Sequence, residues 1–193
     1  MDHSREDAWR LLTEFVQSES LRRHCLSVET AMRAYARKYG ESEDDWGLVG
    51  LIHDFDYEIH PNLEQHPLDG AAILRERGYP EWVIRAILSH GEGLGIAPET
   101  ILEKTLCAVD ELTGFIAAVA FVRPSKAVRD VTPRAVRKKM KDKAFARAVD
   151  REAMVAGAEA LDVDFDEHVT FVVNAMTENA EALGLAGVAT SHA

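Results

Sequence analysis

Apolar residues recur at three- and four-residue spacing along almost the whole chain, as in Trp9, Leu12, Phe15 and Val16 and again in Val28, Ala31, Met32 and Tyr35. That period lines them up on one stripe of a 3.6-residue helix. No two-residue alternation competes with it. The pattern therefore predicts an all-α fold, with helices near 4–17, 19–39, 43–54, 67–78, 80–90, 98–121, 133–139, 143–161 and 165–183. Helix punctuation agrees. Ser4 stands three residues before Asp7 as an N-cap, Gly40 closes the second helix, and Glu43-Asp44-Asp45 opens the third, where the helix dipole favours negative charge. At 193 residues and 47% hydrophobic content, one sizeable core is within reach, so a compact single-domain helical bundle over residues 1–183 is expected. The small, weakly amphipathic residues 184–193 are expected to fray.

Charge changes the picture in one place. The formal net charge is −11, which argues against a polymeric nucleic acid as partner, since binding a polyanion draws on excess Lys and Arg. Between Arg123 and Arg147, however, ten Lys or Arg face only Asp130 and Asp142, a local charge of +8. Such a segment on an acidic body can concentrate small anions, or it can be a solvated helix pair. Cys25 and Cys107 form no CxxC pair, so no disulfide framework or zinc knuckle is suggested. No apolar run reaches the roughly 18 residues that span a bilayer, and the opening Met1-Asp2-His3-Ser4-Arg5-Glu6 lacks the basic and apolar stretches of a signal peptide. A cytoplasmic protein without a membrane partner is expected.

The candidate chemistry sits where polar residues interrupt apolar helices. His53-Asp54 ends the run Trp46-Gly-Leu-Val-Gly-Leu-Ile52, delivering an imidazole and a carboxylate side by side at a helix end. A buried polar pair without partners is costly. Imidazole nitrogens and carboxylate oxygens together suit a divalent ion such as Mn, Fe, Co, Ni, Zn or Mg. His24 lies mid-helix and Asp110 breaks another apolar helix, so each offers a further ligand. Any one of the four alone reads as a hydrogen-bonded core residue. Together they point to a metal. Two polar connections adjoin helix ends as well, 55–66 and the glycine-rich 91–98, and sites favour such connections.

In order and spacing, His24, His53-Asp54 and Asp110 resemble the motif of the HD-domain superfamily of metal-dependent phosphohydrolases, a His, then His-Asp, then a later Asp on separate helices. The resemblance covers about residues 20–125, and the all-helical fold it implies agrees with the periodicity. His66, ahead of Pro67, and His90, ahead of Gly91 as its C′ residue, match the extended form of the pattern. In that form Asp54 bridges, His24, His53 and Asp110 hold one metal, and His66 and His90 complete a second. One or two ions per chain are thus compatible with the residues. The resemblance implies hydrolysis of a small phosphate ester, plausibly a nucleotide or related metabolite, by metal-activated water, with His53 and Asp54 at the catalytic centre. Arg123 and Lys126, opening the basic segment, would bind the phosphoryl oxygens. Asp56, Glu58 and Glu92 are loop carboxylates able to shuttle a proton, and none of them stands out; His60 is a weaker ligand candidate. Two other readings are carried: a di-iron oxygenase of the same superfamily using the same six ligands, and a metal-stabilised nucleotide-sensing module without turnover.

Overall fold

The computed structural model describes residues 3–62, 64–91 and 93–188. All regular structure in them is helical; no strand occurs among the described residues, and no described helix is long and apolar enough to cross a membrane. The chain divides into two compact units, Met1–Cys107 and Ala108–Ala193.

The first unit contains α1 (Arg5–Phe15), α2 (Glu19–Tyr39), α3 (Glu43–Ile52), α4 (Leu68–Glu76), α5 (Glu81–His90) and the start of α6 (Ile101–Phe121). Each of the first three begins at a serine cap. Ser4 accepts from Asp7 N while Asp7 returns the bond, and Ser18 and Ser42 cap α2 and α3 in the same way on one side. Gly40 ends α2 in the left-handed conformation that its missing side chain permits. Helix α3 is buried on every side from Trp46 to Ile52. Its Gly50 lets α2 approach closely, for a Cβ there would lie 3.0 Å from the backbone of Glu29. This crossing sets the C-terminal end of α3 against the middle of α2. A buried carboxylate, Glu29, receives both Arg5 and Arg33 at 2.6 and 3.0 Å and ties α1 to α2.

Two expectations about the later part of this unit need correction. Pro67 stands at the N-cap of α4, not at its first helical position. Gly91 is not a left-handed C′ residue: its φ is −69°, and it is small because a Cβ would lie 2.6 Å from Pro67 Cδ.

The second unit holds the rest of α6, a 3-10 turn (Val128–Asp130), α7 (Pro133–Met140), α8 (Arg151–Ala160) and α9 (Phe165–Glu178). The helix expected over 143–161 starts only at Arg151, after the Asp150 cap. Residues 142–149 instead form turns held by the Arg151 guanidinium, which donates to the carbonyls of Asp142, Phe145, Ala146 and Val149. The tail expected to fray is docked as far as it is described. Val128 N donates to Leu185 O at 2.9 Å, Val188 N donates to Ser125 O at 3.0 Å, and Leu185 is buried. Gly187, at φ +100°, makes this possible, since a Cβ would stand 2.7 Å from Ser125 O. Residues 189–193 lie outside the described ones.

Candidate metal centre

Three helix ends and one helix interior of the first unit converge on Asp54. His24 projects from the middle of α2, His53 is the C-cap of α3, His66 precedes α4 and His90 is the last residue of α5. The two oxygens of the Asp54 carboxylate face different histidine pairs. Oδ2 lies 3.6 Å from His24 Nε2 and 3.5 Å from His53 Nε2, whereas Oδ1 lies 3.2 Å from His66 Nε2 and 3.4 Å from His90 Nε2. Within each pair the Nε2 atoms are themselves 3.3 Å apart. The ligand atoms of Asp54, His66 and His90 all lie within 4.8 Å of one another, the span one ion can bridge.

Hydrogen bonds on the far side of three rings decide what those Nε2 atoms carry. His53 Nδ1 lies 2.8 Å from Gly50 O, and His90 Nδ1 bonds Ile87 O. A carbonyl oxygen can only accept, so each Nδ1 holds its hydrogen and the neutral ring leaves a lone pair on Nε2. His66 Nδ1 lies 2.8 Å from Asp56 Oδ1, and a carboxylate likewise accepts. Neutral His66 and His90 therefore aim two lone pairs at each other across 3.3 Å. A cation between them would satisfy both.

Electrostatics agree. Burial works against charge on Asp54, yet His53, His66 and His90 hold its carboxyl well below the usual range. Burial also opposes charge on His66, but its hydrogen bonds to Asp54 and Asp56 prevail and push it up to about 9. Without a metal, a proton on His66 stands where an ion would. The donor set, imidazole nitrogens and carboxylate oxygens without a thiolate, fits a borderline or hard divalent ion.

Asp110 lies on α6, three residues past the division, and belongs to the second unit. Arg123 and Lys126 are also in that unit, in the turn after α6; Lys126 is exposed and left-handed, with φ +50°. His60 faces Asp69 at 3.9 Å. Glu58 Oε2 accepts from Gln17 N and Ser18 N at 2.7 and 3.0 Å, bracing the start of α2. Glu92 lies outside the described residues.

Asp56 departs furthest from its expected place among solvated loop carboxylates. It is fully buried, and besides His66 it accepts from Gly70 N at 3.2 Å. Gly70 is in the first turn of α4, whose N-cap Pro67 offers no side-chain acceptor. A Cβ on Gly70 would lie 2.5 Å from the Asp56 carboxylate. The only trace of this in the sequence is a glycine in the first turn of a helix that opens on proline.

Residues 21–114 match the family model described as the HD domain, a stretch that contains His24, His53, Asp54, His66, His90 and Asp110. No curated protein and no solved structure matches the chain.

Proposed function

The chain belongs to the HD-domain superfamily of metal-dependent phosphohydrolases, and from that premise we propose that it hydrolyses a small phosphate ester, such as a nucleotide, at a centre where the Asp54 carboxylate would help to hold two metals. The observation that supports two ions is the Asp54 carboxylate, with one oxygen turned to His24 and His53 and the other to His66 and His90. Asp110, the later Asp of the motif, completes the first set by its place in that order. Divalent ions held by these residues would lower the pKa of bound water and polarise a phosphoryl oxygen.

The protein's own residues do the rest. Gly50 O and Ile87 O fix the rings of His53 and His90 so that Nε2 faces the Asp54 carboxylate without reorganisation. The fully buried His53 closes the deep side of the centre to water, while Asp54 and His24 retain partial exposure on the side a substrate can reach. Arg123 and Lys126 are proposed as the phosphate-binding cations, on the strength of the positive segment they open.

The test is phosphate release. The protein loaded in turn with Mn, Fe, Co, Ni, Zn or Mg is assayed against a panel of nucleoside monophosphates and other phosphomonoesters. Turnover is expected only with metal and is expected to vanish in Asp54→Ala. Oxygen uptake by the iron-loaded protein without phosphate release would replace this reading with that of a di-iron oxygenase. Tight nucleotide binding without turnover would replace it with a sensor.

A further inference from the structure

Among the described residues, Asp56 is the buried carboxylate beside the centre that the metal chemistry does not use. It has two acceptor oxygens and two committed donors: Oδ1 takes His66 Nδ1 at 2.8 Å and Oδ2 takes the backbone N–H of Gly70 at 3.2 Å. The second bond anchors the first. Gly70 N is in the first turn of α4, where a helix leaves donors unpaired and its dipole favours a negative group. The carboxylate is thus pinned by the helix, and close approach is guaranteed by the missing Cβ of Gly70. Tyr57, edge-on to the His66 ring at a centroid distance of 5.2 Å, limits the ring's tilt from another side.

We propose that Asp56 is a positioning residue for the second metal: it fixes His66 in the tautomer that carries hydrogen on Nδ1 and so presents the Nε2 lone pair towards Asp54 and His90. This rests on the two-metal reading above. The chemistry makes a sharp distinction between a carboxylate and an amide at this position. An asparagine has one acceptor oxygen, and Gly70 N–H can do nothing but donate, so in Asp56→Asn the oxygen goes to Gly70. The amide nitrogen of the substituted side chain then donates to His66 Nδ1, which moves the ring hydrogen to Nε2 and blocks the ligand atom. Volume and the helix contact are kept, but the tautomer is reversed.

The experiment is isothermal titration of metal-free protein with Zn²⁺, combined with ¹⁵N-detected histidine spectra of the zinc-loaded protein. The unchanged chain should take up two equivalents, with His66 protonated on Nδ1. Asp56→Asn should fold with an unaltered helical spectrum, keep one equivalent, and bind the second about 10- to 100-fold more weakly, with hydrogen on His66 Nε2. If Asp56→Asn does not fold, Gly70→Ala gives a second route, because its Cβ must push the carboxylate away from His66 while favouring the helix. It should lower the second affinity in the same sense. Uptake of fewer than two equivalents by the unchanged chain would overturn the two-metal reading itself. Two equivalents with hydrogen on His66 Nε2, or an Asp56→Asn chain that binds both as tightly as before, would overturn the role of Asp56 alone.

Discussion

His53 and His168 are both almost completely buried, one in each compact unit, yet their surroundings differ in kind. His168, in the first turn of α9, bonds Ala108 O through Nε2 at 3.0 Å, the ordinary arrangement of a core histidine that meets a backbone acceptor. His53 spends Nδ1 on Gly50 O and turns Nε2 to another histidine nitrogen and a carboxylate. In the second unit, Arg137 is paired with Asp166 and lies over the Phe165 ring, and Arg151 is spent on four backbone carbonyls. In the first, three of the four histidines that face Asp54 bond away from it through Nδ1 and leave their Nε2 atoms facing inward. Burial alone therefore does not distinguish a structural histidine from a ligand. The direction of the second nitrogen does.

The largest effect expected from this difference is at Asp54. Asp54→Ala should remove both ions and all turnover, beyond the roughly 10- to 100-fold loss that outer-shell changes cause, because each histidine pair faces one of its oxygens. Elemental analysis of the purified variant checks this. Next, His66→Ala or His90→Ala should each lose one ion and retain the other, as read by the same analysis.

A pH titration of the metal-free protein sharpens the comparison further. His66, raised to about 9 in the folded state from an unfolded value near 6.5, contributes stability that is fully present below the unfolded value. That contribution, up to about 3 kcal/mol, should disappear as pH rises from 6.5 through 9. Urea melts at a series of pH values measure it, and saturating zinc should abolish the decline, since the ion replaces the proton. His168→Ala is expected to cost about 1–3 kcal/mol in the same melts by opening a space and leaving Ala108 O short of a partner, with metal content unchanged. The smallest effect concerns Lys126, an exposed cation of the second unit. Lys126→Ala should lower kcat/KM on an accepted phosphate ester about tenfold, near 1.4 kcal/mol, with full metal content. Unchanged kinetics would leave the basic segment a surface feature like Arg137.

Much of this was legible in the chain. The Ser4 cap, Gly40, the acidic start at Glu43 and apolar periodicity locate α1 to α3 to within two residues, because local propensity and burial agree there. The metal candidates are legible for a different reason: His53-Asp54 follows seven residues that pack on all sides, so its polarity is conspicuous. The late start of α8 was not, because it depends on Arg151 folding back onto four carbonyls of a segment with helical composition. The docked tail depends on one close approach at Gly187, which leaves no periodic signal. Asp56 and Glu58 look alike in sequence, two carboxylates two residues apart in one loop. One braces α2 and the other is sealed between His66 and α4, and only distant partners set them apart.

The central claim, that Asp54 joins two metal sites, is tested most directly by diffraction from zinc-loaded crystals collected on both sides of the zinc absorption edge. Two anomalous peaks per chain are predicted, one beside each Asp54 oxygen, the first against His24 and His53 and the second against His66 and His90. A single peak, or one placed away from Asp54, would contradict the account.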